Sequence, residues 1–250
     1  MAEAKKKLPS FTTPRLVFKF PKLVDADYGS NDYPKPDGEF STKGLAKASD
    51  PGIQKLLKQL QPLHDAAVEK AEAEFKKLKP ETRKKLGAVK VNDLYTELLD
   101  PETEEPTGEI EFKFAMKHRI EAKKGPNAGK VFYRYPALFD AKGRPMIVRD
   151  KKGKTLSGAP QIWGGTVGIV SFEASDYFIP GTGAAGLKLN LTAVQIIDLV
   201  SGGQRSANSY GFAAQDDGYE GEDYSDSDES DDDGDDSTSN DDSSEDDDEF

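Results

Sequence analysis

Residues 216–250 carry twenty Asp and Glu side chains and neither Lys nor Arg, with Ser, Gly, Thr and Asn between them. Such a segment repels itself and has too little apolar surface to offset the entropy lost on ordering, which predicts disorder. Whatever folds must therefore fold from the rest. The organisation expected is a body over residues 1–215 and an acidic tail over 216–250. The body keeps all 34 Lys and Arg but only 26 of the 46 Asp and Glu, so a net charge of −12 conceals a body near +8. A basic body joined to a polyanion points to an anionic ligand, with a competitor attached. A solubilising tail is the plainer reading. A bare solubility tail, however, has no need of the aromatic that closes Glu245-Asp246-Asp247-Asp248-Glu249-Phe250.

A body of this length suffices for one large domain or two small ones. The absence of cysteine excludes disulfides, thiolate metal sites and Cys nucleophiles, and fits a reducing cytoplasm. No apolar run approaches the length of a membrane span. The basic start Met1-Ala2-Glu3-Ala4-Lys5-Lys6-Lys7 leads into no apolar region, so a secretory signal is not expected.

Along the chain, Leu16, Phe18 and Phe20 alternate as a first strand, and the Pro-, Gly- and Asp-rich stretch 21–44 predicts a long loop carrying Tyr28, Tyr33 and Phe40. A helix follows over about 50–78. Ser49 or Asp50 can cap it, Pro51 suits its first turn, and Ile53, Leu56, Leu60, Ala67 and Ala71 form its stripe. Pro62 inside it predicts a kink or break. Period-two alternation then marks strands over 109–120, 130–139, 145–148, 166–173 and 187–200, separated by turns such as Ala141-Lys142-Gly143-Arg144. Strands joined by glycine turns with one interposed helix predict a mainly β protein, a small barrel decorated by a helix. An OB-fold needs that number of strands, although periodicity alone does not single it out.

Motifs for chemistry fail on context. Gly181-Thr182-Gly183-Ala184-Ala185-Gly186 has dinucleotide-loop spacing but runs into an alternating strand instead of a helix, so it reads as a hairpin loop. Gly125–Lys130 is one residue short of a phosphate-binding loop. His64 and His118 are isolated and read as partly buried structural residues, and Asp231–Asp236 lacks the spaced ligands of a calcium loop. No catalytic arrangement, metal site or cofactor is expected. What stands out is cations interleaved with aromatics. Lys113, Lys117, Arg119, Lys123, Lys124, Lys130 and Arg134 could follow a phosphate backbone, and Tyr133, Tyr135 and Trp163 could stack on unpaired bases. Of the neighbours Phe132 and Tyr133 only one can face a barrel interior, while Phe112, Phe114 and Phe139 are expected in the core.

The order of these parts resembles the single-stranded DNA-binding proteins of bacteriophages, of the podovirus replication type. The resemblance rests on the helix over 53–78 with its Ala- and Glu-rich second half, the strand Phe112-Lys113-Phe114, and the turn Asp140-Ala141-Lys142-Gly143. It continues in Pro160-Gln161-Ile162-Trp163-Gly164-Gly165, the strand over 187–199 and the terminal Asp248-Glu249-Phe250. It implies an OB-fold five-stranded barrel with one inserted α-helix and a disordered acidic C-terminal tail. It also implies sequence-nonspecific binding of single-stranded DNA in phage replication, recombination and repair, in the cytoplasm of the bacterial host. In that family the tail contacts the DNA polymerase and helicase-primase, supports dimers, and competes with DNA. Here those roles would fall on Glu245 to Glu249 and Phe250. The chain departs from the family in its longer, Ser-rich tail, in Pro62, and in Trp163, a stacker or a core plug where the family has a small or aliphatic residue. The competing reading is an acidic-tailed protein-interaction or histone-chaperone-like module that binds no DNA.

Overall fold

A computed structural model describes residues 7–201. Their elements in chain order are β1 (Ser10–Thr12), β2 (Leu16–Gly29), β3 (Pro34–Lys47), α1 (Pro51–Lys77), α2 (Pro80–Leu86), β4 (Lys90–Val91), β5 (Thr96–Leu99), β6 (Pro106–Lys117), β7 (Arg119–Glu121), β8 (Val131–Tyr133), β9 (Ala137–Phe139), β10 (Val167–Ile179) and β11 (Ala184–Asp198). The acidic tail and its end, Glu245 to Phe250, lie outside the described residues.

Five of these strands close a barrel. β2 pairs with β3, β3 with β6, β6 with β11, β11 with β10, and β10 returns to β2. Taken in chain order they run 1-2-3-5-4 around the ring, antiparallel except where β6 meets β11. This is the Greek-key closure of an OB-fold. Inward positions alternate with outward ones, and Phe18, Phe40, Phe112, Phe114, Phe172 and Leu191 fill the interior. Closure demands small residues where strands crowd. A Cβ on Gly168 would stand 2.5 Å from the Phe18 ring and 2.7 Å from the Gln195 carbonyl. Gly168→Ala is therefore expected to lower stability by about 1–3 kcal/mol, as overpacking does, measurable by urea denaturation. An unchanged midpoint would show that the seam gives way freely.

α1 is inserted between the second and third barrel strands. Asp50 caps it, its Oδ1 accepting from the N–H groups of Gly52 (2.8 Å) and Ile53 (3.0 Å). Its stripe of Ile53, Leu56, Leu60, His64, Ala67 and Ala71 packs on β10 and β11. His64 is buried, and its Nε2–H donates to the Asn92 carbonyl at 2.8 Å. The helix runs through Pro62 without the expected break. Pro62 sits on the exposed side, where water can take the place of the missing N–H.

Three further expectations are corrected. Residues 21–44 are not a loop. β2 continues to Gly29, the turn is confined to residues 30–33, and β3 begins at Pro34. Shifts of register between Lys19 and Lys22 and again up to Gly29 carry the strand past Pro21. The stretch 130–139 is not one strand, because it breaks before Pro136 into β8, paired with β7 outside the barrel, and β9, which lies parallel to β11. Residues 145–148 form no strand and make only a bridge from Pro145 to Phe139.

Candidate nucleic-acid interface

On the outer face of β2, β3 and β6, Lys19 stands directly opposite Lys43, and Lys43 directly opposite Lys113. Their sequence neighbours Phe18, Thr42, Phe112 and Phe114 point inward and are buried. Like charges set opposite each other on adjacent strands destabilise a sheet. One carboxylate offsets part of that cost, since buried Glu111 lies 2.6 Å from the Lys43 Nζ and 3.8 Å from the Lys19 Nζ. Lys113 is exposed. A row of three cations so arranged can attract anions.

At the C-terminal end of β6 an aromatic group gathers around His118. The His118 ring lies 5.1 Å from Tyr133, 4.9 Å from Tyr135, 5.4 Å from Phe40 and 6.4 Å from Tyr28. Its Nδ1–H donates to the Arg134 carbonyl at 3.0 Å, which fixes the ring and the end of β8. Arg149 closes the group from below, 4.6 Å over the Tyr135 ring and 5.0 Å over Phe40, with its Nη2 donating to the carbonyls of Leu23 and Val24. Burial pushes the Arg149 guanidinium down from its usual value, opposed by Tyr135 and Asp25. Beside the cluster Asp37 holds both Lys117 (3.1 Å) and Arg119 (3.3 Å). The Lys117 hydrogen bond, reinforced by Arg119, keeps the Asp37 carboxyl below the usual carboxylate value.

The other end of the lysine row opens into a cleft of about 800 Å³ between β2 and the segment before β10. Phe20 and Trp163 line it with Lys19 and Lys22, and the two rings are 68% and 48% exposed. Ile162, not Trp163, is the core plug.

Most of the expected residues thus fall into two groups joined by a third. Lys117, Arg119, Tyr133 and Tyr135 meet around His118 and Asp37, with Arg119 paired directly to Tyr133. Lys113 lies in the central row, and Trp163 at the far cleft. Lys123, Lys124, Lys130 and Arg134 are exposed on the β7–β8 hairpin and its flanks. Two details correct the sequence reading. Phe132 and Tyr133 are both outside the barrel and both exposed, and Tyr135 is half-buried, its ring packed by Arg149, His118 and Phe40. Sequence reasoning missed Lys19 and Lys43 and set Phe20 in phase with Leu16 and Phe18. Lys43 was hidden in the supposed loop, while Lys19 lay on the expected first strand, out of phase with Phe18. Tyr33, 80% exposed at the β2–β3 turn, reads from the sequence only as a loop residue.

Among the described residues no cluster of His, Asp and Glu could hold a metal, and no helix is long and apolar enough to cross a membrane. A family model described as single-stranded DNA-binding protein, bacteriophage T7, matches residues 18–199, from β2 to just past β11. The chain belongs to that family. It is a family of binding proteins, not of enzymes, and membership bears out the resemblance read from the sequence. Among solved structures, gp2.5, a single-stranded DNA-binding protein encoded by bacteriophage T7, superposes with a TM-score of 0.56 at 18% identity, covering 86% of this chain and 100% of that one. The likeness supports the fold. The single-stranded DNA-binding protein of bacteriophage Enc34 in complex with ssDNA aligns with a TM-score of 0.43 at 11% identity, covering 79% of this chain and 89% of that one. That similarity is too slight to bear on the site. No curated protein matches the sequence.

Proposed function

We propose that this chain binds single-stranded DNA without sequence preference and serves phage DNA replication, recombination and repair in the cytoplasm of the bacterial host. The lysine row Lys19–Lys43–Lys113 carries the reading, because it crosses the face that OB-folds use for oligonucleotides. Aromatics stand exposed at both of its ends. From Lys117 to Lys113 the path runs about 13 Å along β6, and from Lys113 to Lys19 about 10 Å across two strand spacings. Cations along such a path take phosphates, and the rings take bases. Stacking needs no reading of base edges, which makes the binding tolerant of sequence. Lys123, Lys124, Lys130 and Arg134 extend the basic surface along the hairpin, and Tyr135 acts by holding Tyr133 and His118 in place. DNA binding belongs to the body over residues 1–215. The tail over 216–250 competes with DNA for the body, supports homodimers and, through Glu245 to Phe250, recruits the phage DNA polymerase and helicase-primase.

The test is fluorescence anisotropy of labelled oligo-dT across a salt series, with duplex DNA alongside. Tight binding to the single strand that weakens steeply with salt is the expected result. Equal affinity for duplex discards the single-strand preference, and no binding at any salt discards the reading in favour of a protein-interaction module.

A further inference from the structure

Phe20 is a bulky residue in the left-handed region, with φ of 50°. That conformation is an outlier for such a side chain and costs stability. Little burial repays it, since Phe20 is 68% exposed, with the Lys19 Nζ 5.8 Å from its ring centroid. The bulge between Lys19 and Lys22 turns the ring out of the barrel and into the cleft that Trp163 lines.

Trp163 is exposed as well, yet its backbone is rigidly held. Its N–H donates to the Val200 carbonyl at 2.9 Å. The Gly165 N–H donates to the Phe18 carbonyl at 2.8 Å, and the Phe18 N–H to the Thr166 carbonyl at 2.8 Å. Fully buried Thr166 ties the same turn to Val200 through its hydroxyl, which accepts from the Val200 N–H at 3.1 Å. The two rings therefore hang from one hydrogen-bonded frame, two residues past Phe18 on one side and two before Gly165 on the other.

We propose that Phe20 and Trp163 form a clamp for one unpaired nucleobase, with Lys19 and Lys22 taking its flanking phosphates. The charge at the rim selects a polyanion, and two apolar rings on a preorganised frame select a planar aromatic group. The clamp rests on the proposed single-strand binding and adds to it a defined base subsite at the β2 end of the path. Duplex DNA offers no free base to enter the cleft.

Phe20→Gly separates this role from a structural one. Glycine adopts positive φ without penalty, so thermal stability is expected to hold or rise, while affinity for oligo-dT falls roughly tenfold, as loss of a base stack requires. Phe20→Tyr should restore the affinity. Trp163 is the sole tryptophan, so its emission in the full chain reports the cleft directly. It should be quenched by oligo-dT in the wild type and much less in Phe20→Gly. Adding Trp163→Ala to Phe20→Gly should cost clearly less than Trp163→Ala alone, because both rings hold the same base. Strictly multiplicative losses would overturn the clamp, as would wild-type affinity in Phe20→Gly. If the wild type binds oligo-dT by anisotropy with no change in Trp163 emission, the clamp fails and the broader reading stands. If the wild type does not bind at all, both fall.

Discussion

A chain shortened to residues 1–215 is expected to bind labelled oligo-dT about tenfold or more tightly than the full chain at low salt, with a difference that shrinks as salt rises. The effect is electrostatic. Twenty carboxylates are covalently joined to a body with a surplus of cations. A linked competitor acts at a high effective concentration that no dilution removes. It yields only to a ligand that is stronger or longer, such as an extended strand. Screening weakens both contests together, so the curves converge toward high salt. The measurement is anisotropy of both chains over the same salt series. Equal affinity at low salt would remove the tail from any role in DNA competition and leave it with solubility or partner binding. A second comparison, deleting Phe250 alone, tests the proposed recruiting role. DNA affinity should then stay as it is, while binding to the polymerase falls.

The second large effect is expected from the lysine row. Replacing Lys43 and Lys113 together by Ala should flatten the slope of log affinity against log salt by about 1.4, roughly 0.7 for each single-strand phosphate that goes without its cation. That slope corresponds to a loss of about sixtyfold at 0.05 M salt that vanishes toward 1 M. Lys43 also neutralises buried Glu111, so its removal costs about 1–3 kcal/mol of stability as well. Lys113→Ala leaves that ion pair untouched and gives a clean slope change of about 0.7. Asp37→Asn should move the other way, because it releases Lys117 and Arg119 from their carboxylate. A Lys113→Ala protein with the wild-type salt slope would place the DNA on some other face.

The helix and the strands β6, β10 and β11 were legible because each announces itself locally. The stripe from Ile53 to Ala71 has a helical period, and the alternation Ile110, Phe112, Phe114, Met116 has a period of two. β2 beyond Phe20 and the start of β3 were not, since Pro21, Asp25, Asp27, Gly29, Pro34, Pro36 and Gly38 have the composition of a loop. Bulges and long-range pairing let such residues lie in strands, and no local pattern records them. The same holds for the candidate site. Lys113 and Tyr133 could be picked out by type, but the alignment of Lys19, Lys43 and Lys113 exists only through the register of three strands far apart in sequence. Phe20 keeps the phase of a core residue and loses it to a bulge. Pro136 argues against one central strand over residues 130–139, a signal that the reading of that stretch as a single strand passed over.

The barrel's closing seams have a consequence for how the chain reaches its native state. β2 with β3, and β10 with β11, are hairpins whose partners are near in sequence. β10 meets β2 only through Val167 with Val17 and Gly168 with Leu16, and β6 meets β11 through Phe114 with Leu189 and Ala115 with Asn190. Pairings between distant residues must meet the loop-closure entropy before they gain anything, so local hairpins form ahead of them. The hydrogen bonds that hang Trp163 beside Phe18 lie at the β2–β10 seam itself. In refolding followed by Trp163 emission, the largest amplitude should therefore sit in the slowest phase, and competence for DNA should appear with it. The cleft that Phe20 and Trp163 line is then expected to be the last part of the molecule to come into existence.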